Sequence, residues 1–231
     1  MSDREAQSRK LLADTILQYN PQFIIGVDEV GYGCIAGPCV IGAVGVPVDW
    51  VPPKGLTDSK LLSREKITAL AYDFMNIVSN TDYESGIHSN LIFIPHYSID
   101  QHGLGKSRRD GIISGVSSVR GRYSSDDRVL SIVDGNLDIS NSVSIPKADL
   151  TCPAVSMASV IAKYYRDLYM ISEADKLYPN YGFASHVGYD TAAHRQAIKD
   201  LGPCEIHRMS TRTLKERQIW AALPNLGRGK L

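Results

Sequence analysis

The chain has 231 residues, 43% of them hydrophobic, enough to bury a core as one domain. Its 25 basic and 25 acidic side chains cancel, so no global charge advertises a polyanionic partner, and any nucleic-acid footprint must be local. Charges run through the first twenty residues and no stretch approaches the ~18 apolar residues of a membrane span, so the expectation is a cytoplasmic protein with no membrane partner.

Residues 5–19 place Leu11, Leu12, Ile16 and Leu17 at helical intervals, a leading helix with no chemical signature. Apolar strands are predicted over 23–27 and 39–46, paired through a link containing Gly31, Gly33 and Gly37. Pro47, Pro52, Pro53 and Gly55 mark a loop, after which Ser63 caps a helix reaching about residue 78, with Ile67, Leu70 and Phe74 on one face. The stretch 82–95 reads as strand and loop, and 110–119 as a helix between Gly105 and Gly121. Short strands follow over 129–133 and 143–145. Residues 153–177 read as one long helix, with Pro153 in its first turn and Pro179 stopping it. Lys163 and Asp167 share a face of that helix. A helix over 191–201 precedes a tail in which Arg208, Arg212, Lys215 and Arg217 outweigh Glu216. Cys34, Cys39, Cys152 and Cys204 lack Cys-x-x-Cys spacing and read as small buried hydrophobes rather than zinc ligands or a disulfide framework.

Three of these strands finish at carboxylates: 23–27 at Asp28 and Glu29, 129–133 at Asp134, and 143–145 just before Asp149. Strand ends of α/β sheets present side chains to ligands. Carboxylates packed together repel and raise one another's pKa unless a cation sits among them. Hard oxygen ligands suit Mg²⁺ or Mn²⁺, and two such ions can drive an in-line displacement at phosphorus. Asp28 and Glu29 would point to opposite faces of a regular strand, so both serve one site only if the chain bends at once. Asp is also common after strands because it starts turns, so spacing alone leaves a metal site and a set of turn residues both open.

The segment GVDEVGYGCIAGP at 26–38 closely resembles the first signature of the type 2 ribonucleases H, the ribonuclease HII family. DSKLLS at 58–63, VDGN at 133–136, KAD at 147–149, SMASVIAKYYRD at 156–167, YGFASHVGYDTAAH at 181–194 and HRMS at 207–210 continue the resemblance in order. It implies an α/β fold, a ribonuclease H-like mixed central sheet flanked by helices with a small helical C-terminal region. Residues 1–231 would form a single catalytic domain, with 20–190 the core and 191–231 a helical, partly basic extension. It further implies a monomeric endonuclease that uses Mg²⁺ or Mn²⁺ to cut the RNA strand of RNA/DNA hybrids. Incision of DNA duplex containing single ribonucleotides is implied too, leaving 3′-hydroxyl and 5′-phosphate ends. The metal-binding carboxylates carry over to Asp28, Glu29, Asp134 and Asp149, with Asp167 a further acid nearby.

Substrate contacts implied by the resemblance fall on Gly31, Tyr32 and Gly33, on Ser59 and Lys60, on Ser156 and Lys163, and on Tyr189, whose ring could pack on a deoxyribose. Glycines at 31 and 33 would let the backbone approach a 2′-hydroxyl. Tyr32 stands where the family has arginine and Val187 where lysine is usual. Two cations are thus missing from the motif, and weaker substrate binding is the expectation. The positive tail from Arg208 to Lys230 is expected to hold DNA backbone. The sister ribonuclease HIII shares the catalytic pattern but usually carries an additional N-terminal domain, for which the residues before Phe23 are expected to be too few.

Overall fold

Apolar runs long enough to be covered on both faces form the middle of the sheet. The computed structural model describes residues 2–80 and 85–216, and its five strands lie in the order β3-β2-β1-β4-β5. β1 (Phe23–Val30) pairs antiparallel with β2 (Cys39–Pro47), which pairs antiparallel with β3 (His88–Ile94). β4 (Val129–Asp134) runs parallel to β1, and β5 (Val143–Ile145) parallel to β4. The sheet is mixed, as expected.

Alternation along the strands divides the core in two. Ile24, Val44, Val46, Leu130 and Ile132 face α2 (Arg64–Asn80) and α6 (Pro153–Tyr169), where Phe74, Met157 and Ile161 meet them. Ile25, Val27, Cys39, Ile41, Ala43 and Val133 face α3 (His96–His102) and α4 (Leu104–Arg120) through Ile99, Ile112 and Val116. Gly26 and Gly42 allow α6 to lie directly on the sheet: a Cβ at Gly26 would stand 2.2 Å from the Ala154 and Val155 backbone, and one at Gly42 2.3 Å from the Ala158 carbonyl.

Several elements depart from the expected bounds. β1 runs on through Asp28 and Glu29 to Val30, and the chain turns only at Gly31, with φ 86°. α4 begins six residues before the expected helix, and α3 precedes it. The long helix predicted over 153–177 is continuous, but its α pitch loosens into a π turn at Met170–Ala174 before α7 (Asp175–Leu177). The leading helix, α1 (Asp3–Tyr19), is pinned to α5 (Ala148–Thr151) by a 2.9 Å hydrogen bond between the Ser8 and Thr151 hydroxyls.

Beyond α7, the helices α8 (Phe183–His186), α9 (Ala192–Leu201) and α10 (Arg212–Glu216) form the C-terminal region. Ala36, Met170, Phe183, Val187 and Ile206 make a small core of their own, which docks this region on the 31–38 loop. Most of the basic tail, including Arg217, lies outside the described residues. Among those described, no helix is long and apolar enough to cross a membrane.

Candidate active site

Parallel pairing of Val27 with Val133 places Asp28 beside Asp134 at the ends of two neighbouring strands, which lie roughly 4.8 Å apart in any sheet. Asp28 faces α6 and Glu29 faces α4. The immediate bend expected after residue 27 is therefore absent, and the two carboxylates straddle the strand. Both nevertheless line one cleft of about 440 Å³ at the sheet's end, together with Asp134. Asp149, on the short α5, lines an adjoining cavity of about 620 Å³ that also reaches Asp134, and α1 walls that cavity with Arg4 and Gln7.

Electrostatics at this end of the sheet are unbalanced. Burial, then the charges of Glu29 and Asp134, push the Asp28 pKa up to about 8. Burial raises Asp149 as well, with Asp134 and Asp58 adding to the effect and Lys60 opposing it. Lys60 Nζ lies 3.2 Å from Asp149 Oδ2 and 3.5 Å from Asp58 Oδ1. Against the cost of burial, the charges of Asp28, Asp58 and Asp149 raise the Lys60 pKa. Burial raises Glu29 too, and Arg108 works against it across an ion pair of 2.8 Å. Asp134 Oδ1 accepts the Ala148 N–H at 2.8 Å, which ties β4 to the start of α5.

These groups suit divalent cations by their chemistry and by two loose ends: Asp28 Oδ2 and Asp149 Oδ1 are buried and meet no hydrogen-bond donor. A buried carboxylate oxygen without a donor is costly unless a cation meets it. Among the described residues no three carboxylate, histidine or cysteine side chains already stand together as a ligand set. Arg108 and Lys60 hold Glu29 and Asp149, and those two pairs would have to open.

Of the expected substrate residues, Gly31, Tyr32, Gly33, Ser59, Lys60, Lys163 and Tyr189 all line the cleft. Ser59 is buried and bonds Ser159 at 2.8 Å. Ser156 is also buried, and its hydroxyl donates to the Asp149 carbonyl at 2.8 Å, so it supports α5 rather than facing the cleft. Asp167 is occupied by Lys163 at 2.8 Å. Tyr32 and Tyr189 each carry a cation: the Arg108 guanidinium lies 5.2 Å from the Tyr32 centroid and the Lys163 ammonium 5.5 Å from that of Tyr189. A cation from α4 thus stands against the first ring and one from α6 against the second. Val187 itself is turned inward with φ 43° and packs in the C-terminal core.

Two arginines shape the 31–38 loop. Arg166 is fully buried in α6 and donates to the carbonyls of Pro38, Val187 and Ala36 at 2.9, 2.9 and 3.3 Å. Arg208, expected to meet DNA, is instead fully buried, donating to Gly37 O at 2.8 Å and Tyr32 O at 3.2 Å. Sequence reasoning gave Arg166 and Arg108 no role. An arginine inside the otherwise apolar run of α6 was the available signal for the first, whereas nothing near Arg108 in the chain points to Glu29.

Tyr189 is held from behind by a histidine relay whose bonds fix the tautomers. The Cys204 N–H donates to His207 Nδ1 at 2.9 Å, leaving the His207 proton on Nε2 to meet His194 Nε2 at 3.0 Å. His194 Nδ1 then donates to the Tyr189 carbonyl at 2.8 Å. His186 stacks on His194 with centroids 4.2 Å apart. Burial, joined for His207 by the neighbouring His194, lowers both relay pKa values to about 4.

A mixed sheet in this order, flanked by helices and carrying carboxylates where β1 and β4 end, is the plan of the ribonuclease H class. The fold matches RNase HII of Archaeoglobus fulgidus, solved in a PCNA:RNase HII complex, with TM-score 0.64 at 19% identity over 88% of this chain and 98% of that one. It also matches Bst-RNase HIII in complex with Mn²⁺, with TM-score 0.61 at 17% identity over 87% and 71%. The chain belongs to the ribonuclease HII family: the family model described as Ribonuclease HII matches residues 25–214. Ribonuclease HII of Hyphomonas neptunium is 40% identical over 201 residues, covering 81% of this chain and 92% of its own. The protein is accordingly an endonuclease of the ribonuclease H type.

Proposed function

We propose that the protein hydrolyses the RNA strand of RNA/DNA hybrids and incises 5′ to ribonucleotides embedded in duplex DNA, with Mg²⁺ or Mn²⁺ held by Asp28, Glu29, Asp134 and Asp149. The observation that carries this reading is the pair of donorless buried oxygens, on Asp28 and Asp149, flanking Asp134. Two divalent cations would supply an activated water and charge stabilisation for the departing 3′ oxygen.

The chain's own residues do the rest. Asp28 and Asp134 form the shared centre, and Glu29 and Asp149 complete the set from the α4 side and from α5. Lys60 stands between the cleft and the α1 cavity, placed to meet a phosphate oxygen once Asp149 has turned to a cation. The backbone at Gly31 and Gly33, carrying no side chain to block a sugar edge, reads the 2′-hydroxyl. Tyr189, fixed by the relay, supplies a flat surface against the adjoining sugar. The protein acts as a cytoplasmic monomer in this reading.

The test compares an RNA/DNA hybrid, a duplex with one embedded ribonucleotide and an all-DNA duplex under Mg²⁺ and under Mn²⁺, with the cut ends mapped. The first two are expected to be cut to 3′-hydroxyl and 5′-phosphate ends, and the third left intact. Cutting of the all-DNA duplex, or substantial activity in purified Asp134→Asn, would sink the reading.

A further inference from the structure

Arg108 projects from α4 to the ends of both β1 and β4: its Nη2 donates to Glu29 Oε2 at 2.8 Å and lies 3.7 Å from where a Cβ on Gly135 would stand. Its side chain is only 16% exposed, and its Nε is buried without an acceptor. Tyr32, 44% exposed, lines the cleft and backs the guanidinium at 5.2 Å. A guanidinium offers five donors in a planar fork suited to phosphate. Here that fork is turned to one carboxylate, leaving donor capacity beside the cleft.

Glu29 cannot keep its bond to Arg108 and also give both oxygens to a cation. When a divalent ion takes Glu29, the carboxylate stays compensated, because one cation replaces another. The guanidinium is then left without its anion, in a nearly dry position that favours acquiring a new one. The anion that arrives with the substrate is the phosphodiester backbone.

We propose that Arg108 is a phosphate ligand for the nucleic acid, masked by Glu29 in the free protein and released to the substrate when Glu29 turns to the metal, with Tyr32 as its backing. The exchange rests on the hydrolytic reading for the role of Glu29. It makes metal and nucleic acid cooperative ligands, each drawing on one half of a pair that otherwise satisfies itself.

Arg108→Gln separates the two halves, because the exchange predicts effects of opposite sign. Calorimetric titration of the nucleic-acid-free protein with Mn²⁺ should show tighter binding in Arg108→Gln than in wild type, since the competitor for Glu29 is gone. For the hybrid, KM should rise about tenfold, and the slope of log kcat/KM against log salt should shrink by about one, the signature of one lost phosphate contact. Arg108→Lys, which keeps the charge without the fork, should restore the salt slope and only part of the KM. Weaker Mn²⁺ binding in Arg108→Gln, or a hybrid KM and salt slope equal to wild type, would overturn the exchange. A wild-type protein inert toward the hybrid would defeat the hydrolytic reading by itself; the salt slope would then be read from fluorescence anisotropy of the uncut labelled duplex.

Discussion

Burial and two neighbouring carboxylates act on Asp28 in the same direction, and its Oδ2 has nothing to bond. At neutral pH the metal-free fold therefore keeps this carboxyl largely protonated, and holding a proton that the unfolded chain releases costs it stability. Asp28→Asn should raise the melting temperature in EDTA by roughly 2–8 °C, corresponding to ~1–2 kcal/mol, while nearly abolishing cleavage and removing most of the thermal gain on adding Mg²⁺. A lower melting temperature in EDTA, measured by calorimetry, would show that the carboxylate is paid no such penalty. The acids themselves were legible because each sits at or just past an apolar run. Arg108 was not: its partner lies 79 positions away, and the run from Leu104 to Asp110 mixes a glycine with charges and shows no period that would place a side chain.

The turn at 187–189 is held by the histidine relay together with Arg166, and its stability follows the protonation of that relay. His194 and His207 titrate near 4 in the folded protein and near 6.5 when unfolded. The unfolded chain thus binds protons that the fold refuses: the stabilisation is fully present above about pH 6.5 and is lost as pH falls toward 4. A proton added to His194 Nε2 would also set two N–H groups against each other across the 3.0 Å contact with His207. Over the same range the raised pKa of Asp28 favours the fold as pH falls, so the relay's share is read as a difference: between pH 7.5 and pH 5 the melting temperature of wild type should fall relative to that of His194→Gln, and a constant difference would exclude the relay. Elements were read less evenly than the acids. β1 and β2 announced themselves because both faces are apolar, whereas β3 is an edge strand with exposed positions at Ser89 and Phe93. Its weaker pattern blurred into the loop before it. The relay escaped notice because His186, His194 and His207 meet only through the packing of three separate segments.

At the scale of the whole molecule, the strand bearing Asp28 and Glu29 and its neighbour β2 are located by one helix. α6 rests on Gly26 and Gly42 with backbone against backbone, so sheet and helix have no slack. Gly26→Ala should destabilise the fold by roughly 1–3 kcal/mol or more, since the atoms met are main chain and cannot step aside. Denaturant unfolding would check this, and a loss under about 0.5 kcal/mol would mean the two layers can separate at little cost.

The same rod that lies on the sheet also reaches the C-terminal region, and between the two its coil widens at Met170–Ala174. A regular α pitch advances each residue by about 100° around the axis, so dropping the extra residue of the wide turn would swivel everything downstream through a comparable arc. Tyr189 would then swing off Lys163 and Arg166, leaving the jaw that carries its ring out of line with the jaw that carries the acids. The slackened coil works as a phase shifter, aiming two independently packed lobes into a common groove.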